Sequence, residues 1–380
     1  MSSPFSSASH TMTEEWVTGP QETQFYTRTY TPSSSAPRAL IVFVHGFQEH
    51  VGRYAHIHPS FAQNGLALWT YDQRGYGRTA LDKEHRSKNS SWGKTGWSDQ
   101  MQDVDWAVRT AREKVPGVPV FLMGHSMGGG EVLSFVIQQS YRSPQYVETV
   151  ALLAGVIVTS PLIQQTIPAS KTLRWLGGKV AIISPYTLIP AAVKATDLSH
   201  SPEFNDAYVQ DPLIKSTGSL RGIGEMLAEG EKLLSAGCHH WPKKIPVLFI
   251  HGDADRVTSA EATQVFFRTI DAEDKRIIIY PEGFHELQNE LPDVRHKLVT
   301  DIVSFVQARN ISQSTDILPA TETQPNGDTG SHESNEKDDH NSKNNEHTVS
   351  SPSSAPNPAE ANSKLPSDID QVGKKVLPRL

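Results

Sequence analysis

Val118-Pro119-Val120-Phe121-Leu122-Met123-Gly124-His125-Ser126-Met127-Gly128-Gly129 runs an apolar segment straight into a glycine-flanked serine, and helical spacing follows as far as Gln139. A short apolar run ending at glycine reads as a strand buried on both faces. Gly124-His125-Ser126-Met127-Gly128 then matches Gly-x-Ser-x-Gly, with a strand before it and a helix after it. The turn between them is so tight that its serine is held in a strained backbone conformation. Side chains two positions to either side would strike neighbouring backbone, which glycine avoids. The new helix also aims its free N–H groups and positive dipole end at the serine oxygen. Ser126 is therefore the candidate nucleophile.

A serine hydroxyl needs a base, and the base needs an acid to fix its tautomer. Working outward, further apolar runs end at Val44, Tyr71, Leu153, Ile250 and Tyr280, and all but the run at Leu153 are followed by a polar or glycine-bearing turn. Helical spacing covers Ser98 to Lys114, Ala260 to Ile270 and Asp293 to Ala308. Strands alternating with helices predict a mostly parallel sheet with helices on both faces, and Tyr26 to Thr31 is expected as an antiparallel edge strand. The chain order Ser, acid, His belongs to the α/β-hydrolase fold. His251-Gly252-Asp253-Ala254-Asp255 follows one strand and Gly283-Phe284-His285 the next, so His285 is the candidate base. Asp255 and Asp253 compete for the acid. The oxyanion hole calls for two backbone N–H groups, expected from Phe47, after His45-Gly46, and from Met127. His45 and His125 read as hydrogen-bonding or packing residues, and Arg74 as half of a structural ion pair.

Composition removes other classes. The net charge of −7 and the absence of a basic stripe argue against nucleic acid. The single cysteine, Cys238, excludes an internal disulfide, and with His239 and His240 it lacks the second ligand cluster a zinc site needs. No metal or cofactor is expected. No secretory leader and no apolar run of about 20 residues is visible, so a cytoplasmic protein is expected.

His45-Gly46-Phe47-Gln48-Glu49-His50-Val51-Gly52-Arg53-Tyr54, Asp72-Gln73-Arg74-Gly75-Tyr76-Gly77, the Ser126 pentapeptide and the Asp255 and His285 loops together resemble the monoacylglycerol lipase family, fungal members above all, over about Glu22 to Arg309. The resemblance implies that the acid is the last residue of His-Gly-x-x-Asp, Asp255. It also implies that Glu49 and Arg53 lie near the channel where a glycerol head group sits and leaves; a structural salt bridge accounts for those two equally well. Where animal members carry a second histidine after the catalytic one, this chain has Gln288, so head-group recognition is expected to differ.

The alternation of strands and helices breaks between residues 158 and 242, which reads as an inserted cap. There Leu173, Trp175, Leu176, Val180, Ile182, Ile183, Tyr186, Leu188 and Ile189 crowd together among Lys171, Arg174 and Lys179. Singly, each is explained by packing; as a group they suit an acyl tunnel and a lipid surface. The expected organisation is an extension over 1–21, core over 22–157 and 243–310, the cap between, and a disordered polar tail over 311–380, where composition cannot offset the entropy of ordering. The expected activity is hydrolysis of monoacylglycerol to fatty acid and glycerol through an acyl-enzyme, on a membrane or lipid-droplet surface. The alternatives are a lysophospholipase or broad carboxylesterase, less readily a peptidase, and, from another class, a non-catalytic ligand receptor on the same fold. A dehalogenase or epoxide hydrolase would carry Asp in place of Ser126.

Overall fold

The computed structural model of the protein describes residues 9–141 and 144–315. The elements in chain order are β1 (His10–Thr18), β2 (Gln24–Pro32), β3 (Leu40–Val44), α1 (His58–Gln63), β4 (Ala67–Tyr71), α2 (Gly77–Leu81), α3 (Trp97–Lys114), β5 (Val120–His125), α4 (Met127–Tyr141), α5 (Val147–Ala151) and β6 (Leu153–Thr159). They continue with α6 (Lys171–Ile183), β7 (Leu188–Pro190), α7 (Pro202–Gln210), β8 (Thr217–Ser219), α8 (Leu220–Ser235), β9 (Val247–Gly252), α9 (Ala260–Thr269), β10 (Lys275–Tyr280) and α10 (Pro292–Thr315).

Eight strands form one sheet in the order β1-β2-β4-β3-β5-β6-β9-β10. From β4 to β10 every pairing is parallel, while β1 and β2 run antiparallel. Strict alternation divides each central strand between two cores. Leu40, Val42 and Val44 pack with Leu122 under α3 and α4, whereas Ile41 and Phe43 pack with Phe121 and Met123 toward α1 and α10. Each such side chain contributes about 1.5–3 kcal/mol by leaving water, which is why β3, β4 and β5 are buried throughout and, apart from Thr70 and His125, carry no polar side chain.

Three boundaries differ from expectation. The segment expected as an extension over 1–21 carries β1, so β2 is interior and β1 is the edge. Its residues Thr11 to Glu15 are exposed, so no apolar pattern marked it; register pairing with β2 holds it in place. The strand expected over Val150–Leu153 begins only at Leu153, after the short helix α5. The apolar residues run on from Val150 into the strand, and so short a run does not show by periodicity where helix ends and strand begins. Helix α10 passes the expected 311 boundary and reaches Thr315, since nothing in Asn310-Ile311-Ser312-Gln313 breaks a helix; the rest of the expected tail lies outside the described residues.

Between β6 and β9, none of the described residues joins this sheet. That segment forms α6, α7, α8 and a small antiparallel pair, β7 with β8. No described helix is long and apolar enough to cross a membrane. The loops following β3, β5, β9 and β10 leave the C-terminal edge of the parallel strands, the edge at which an open α/β sheet gathers its functional groups.

Candidate active site

Ser126 is the first residue beyond β5 and has φ of 54°, in the left-handed region that disfavours every residue except glycine. The surroundings hold it there. Its N–H donates to Thr159 O at 3.0 Å, and its carbonyl accepts from Gly130 N at 3.0 Å and Leu162 N at 2.8 Å. A Cβ on Gly124 would strike Gly128 O, and one on Gly128 would strike the carbonyls of Val44 and His45. The two elbow glycines therefore let α4 drop against β3 and β5.

Ser126 Oγ lies 2.9 Å from His285 Nε2, and His285 Nδ1 lies 2.8 Å from Asp255 Oδ2. All three are buried. Asp255 Oδ1 accepts from the N–H groups of Val257 at 2.7 Å and Thr258 at 2.9 Å, while Oδ2 also accepts from Thr258 Oγ1 at 2.8 Å and His251 Nε2 at 3.1 Å. Burial pushes this carboxyl toward protonation, but the charge and hydrogen bonds of His285 and His251 outweigh it and hold it far below the usual carboxylate range. An ionised Asp255 fixes the His285 proton on Nδ1 and leaves Nε2 to accept from the serine. Burial alone would lower the His285 pKa; Asp255 reverses this and raises it above the ordinary 6.5. Because the base must be neutral, kcat/KM is expected to climb with pH through a midpoint above 6.5. A pH profile whose acidic limb falls below that value would contradict the coupling.

Asp253, the competing acid, is exposed and accepts from the N–H of Glu282 at 2.6 Å, bracing the β10 turn. Phe47 stands in the loop after β3 and lines the same cavity as Ser126, and Met127 opens α4. The loop reaches the serine because residue 46 is glycine: a Cβ there would sit 3.0 Å from Ser126 Cβ and 2.8 Å from Glu49 Oε1. His45 braces this loop, its Nε2 accepting from Gln73 N at 2.8 Å and its Nδ1 facing Gly46 O at 2.8 Å. Burial lowers its pKa to about 3, so it is a neutral strut. Arg74 forks onto Asp103 at 2.8 and 2.7 Å as a structural pair.

Glu49 and Arg53 also gather at the site, with a third residue that sequence reasoning missed. Arg53 Nη1 and Nη2 donate to Glu286 Oε1 and Oε2 at 2.6 and 2.8 Å, while Glu49 Oε2 is 3.4 Å from Nη1 and accepts from Tyr54 Oη. The one available signal was a carboxylate next to the candidate base in sequence. Burial pushes both glutamates up; Arg53 overcomes it at Glu286, bringing that pKa to about 2, whereas Glu49 stays raised. His125 packs on His285 with ring centroids 4.9 Å apart, its Nδ1 3.0 Å from Thr159 Oγ1. Burial first, then the charge of His285, lowers its pKa to about 3. Glu49, His125 and Glu286 bring ligand-type atoms within 4.8 Å of one another. With Arg53 holding both Glu286 oxygens and Tyr54 holding Glu49, the set is built as an ion-pair cluster rather than a metal cradle. Gln288 is buried beyond it, its carbonyl accepting from the His56 ring at 2.8 Å. Cys238 is buried in a 3-10 turn and faces Leu234 O at 3.2 Å.

A cavity of about 180 Å³ opens at Ser126 between Phe47, Leu198, Tyr208, Met226 and the Glu49–Glu286 pair. It shares Gln165, Ala191, Ile223 and Leu227 with an apolar cavity of about 940 Å³ beneath α6 and α8. On α6, Trp175, Ile182 and Ile183 are 65%, 78% and 88% exposed, so packing does not account for them, and Trp175 and Ile182 line the larger cavity. Leu173 and Lys171 lie outside the described side chains.

A family model described as serine aminopeptidase, S33, matches residues 35–292. The chain is 28% identical over 284 residues to a monoacylglycerol lipase of Mycolicibacterium smegmatis, spanning 72% of this chain and 89% of that protein. It is 27% identical over 287 residues to human monoglyceride lipase, spanning 75% and 88%. Among solved structures, a soluble variant of Saccharomyces cerevisiae monoglyceride lipase in complex with a substrate analog aligns with a TM-score of 0.68 and 22% identity, over 78% of this chain and 94% of that one. At such identity the structural likeness speaks for the fold alone.

Proposed function

The chain belongs to the serine aminopeptidase S33 family, within the α/β-hydrolase fold, and from that premise we propose that it cleaves monoacylglycerol to fatty acid and glycerol. The observation that carries the reading is the Ser126–His285–Asp255 relay, placed where a small chamber walled in part by Glu49 and Glu286 meets a large apolar one. Named relatives with this activity support it. An acyl chain would lie in the apolar cavity and the glycerol in the chamber near Glu49. Ser126 attacks the ester carbonyl as His285 takes its proton, and the N–H groups of Phe47 and Met127 receive the charge developing on the carbonyl oxygen. His285 then protonates the leaving glycerol, and water, activated by the same ring, releases the fatty acid.

Residues 158–242 act in this reading as the cap that roofs the acyl chain. Its exposed Trp175, Leu176, Ile182 and Ile183, with Lys179 beside Trp175, suit shallow insertion into a membrane or lipid-droplet surface. A broad carboxylesterase would leave the 940 Å³ cavity without an occupant. The test is side-by-side turnover of a long-chain monoacylglycerol, lysophosphatidylcholine, short p-nitrophenyl esters and an aminoacyl amide. Preference for any of the last three by kcat/KM would overturn the assignment.

Gly224 on α8 lines the larger cavity, and a Cβ added there would meet no atom within 4 Å. Gly224→Ile therefore fills volume rather than clashing. It is expected to lower kcat/KM for long-chain monoacylglycerols by about 10-fold or more while sparing short-chain ones. Equal loss on both would place the acyl chain elsewhere.

A further inference from the structure

At the polar end of the Ser126 chamber, two carboxylates serve one guanidinium. Glu286 takes both terminal nitrogens of Arg53 at 2.6 and 2.8 Å and also accepts from Asn289 Nδ2 at 2.7 Å. Glu49 lies 3.4 Å from the same guanidinium, and the Tyr208 ring covers it at 4.9 Å. The arrangement is recessed on one side only. Glu49, Tyr208 and Glu286 are among the described residues lining the chamber, whereas Arg53 is not, and none of those lining residues is lysine or arginine. The cation is thus spent on its two partners behind the wall, and carboxyl oxygens face the ligand.

Such a wall discriminates by charge. An uncharged polyol donates its hydroxyls to carboxyl oxygens without cost to its own solvation balance. A phosphate entering the same chamber would lose its water, meet no lysine or arginine among the described lining residues, and approach two carboxyl groups at the glycerol end. Resting on the acylglycerol reading above, we propose that Glu49 and Glu286 make this site select against anionic head groups, admitting acylglycerol and refusing acylglycerol phosphate. Glu286 carries the larger share, since it alone takes both arms of Arg53; Glu49 is the reserve that keeps the guanidinium paired if Glu286 is lost. Neither touches the reacting atoms, but both help to raise the His285 pKa, so selection is read from a ratio of two inhibition constants on one protein rather than from turnover.

The test uses uncleavable probes: a 1-O-alkylglycerol ether and its 3-phosphate with the same chain, each competing against hydrolysis of a p-nitrophenyl ester by the full chain. Because neither ether is turned over, the ratio of inhibition constants reports head-group charge selection even if monoacylglycerol proves not to be the substrate. Failure of the substrate reading is seen separately, in monoacylglycerol turnover. The wild-type protein is expected to bind the phosphate ether about 30-fold or more weakly than the neutral one. In Glu49→Gln/Glu286→Gln the guanidinium is left unpaired, and the ratio should narrow at least about tenfold, chiefly through tighter phosphate binding. Adding Arg53→Met should widen it again. If thermal melting shows that the double variant does not fold, Glu286→Gln alone is expected to narrow the ratio by about threefold. Equal inhibition of the wild type by both ethers, or an unchanged ratio in a folded variant, would overturn the proposal.

Discussion

Ser126→Ala is expected to lower kcat on ester substrates by about 10⁶-fold, because a serine and its base act as a unit and removing the nucleophile alone removes nearly all of what the relay supplies. The backbone at this position already sits at φ 54°, a conformation alanine tolerates no better and no worse than serine, so the variant should fold and melt like the wild type. The readout pairs residual turnover with labelling by a fluorophosphonate probe. Residual activity within tenfold of the wild type, or labelling that survives the substitution, would dislodge Ser126 from its role and revive a receptor function for the fold.

The second large effect concerns the acid. Asp255→Asn is expected to cost about 10⁴-fold in kcat with little change in structure. The direction follows from how the carboxylate is held. Oδ1 accepts two backbone N–H groups, from Val257 and Thr258, so an asparagine would keep its carbonyl oxygen there. Its NH₂ would then face His285 Nδ1, which would have to accept, and the ring proton would move to Nε2. An Nε2 that carries a proton cannot take one from Ser126. Asp253→Asn makes the matching control: its carboxylate is exposed and braces only the turn at Glu282, so kcat should stay within about threefold. A larger loss at residue 253 than at residue 255 would reverse the assignment.

Local signals and distant ones divided the legible from the illegible. Ser126, its flanking glycines and the strand and helix around them lie in one unbroken stretch, Val120 to Tyr141, so their geometry was readable from order alone. His285 and Asp255 were readable because parallel strands deliver their ends to one edge. Glu286 was on view beside His285, yet its partner Arg53 stands 233 residues away, and no spacing rule links a carboxylate to a guanidinium across that distance. Tyr208, which covers the same guanidinium from α7, was hidden for the same reason. Strand β1 was missed because Thr11 to Glu15 face solvent, and an edge strand without an apolar face leaves no periodic trace. The apolar residues of α6 were read as packing when taken singly, and burial, which only the fold supplies, decided otherwise for Trp175 and Ile183.

The ends of β9 and β10 meet at two glycines, Gly252 and Gly283, so closely that a Cβ on the first would strike the carbonyl of the second. Backbone lies directly on backbone there. The gap between Asp255 and His285 is consequently set by this backbone joint together with the N–H groups of Val257 and Thr258 that hold the carboxylate. The cap carries no part of this joint, so it can change composition without detuning the proton path. A lineage built on this joint can drift from one ester to another through its cap and its chamber wall while the machinery that breaks the bond is passed on unaltered.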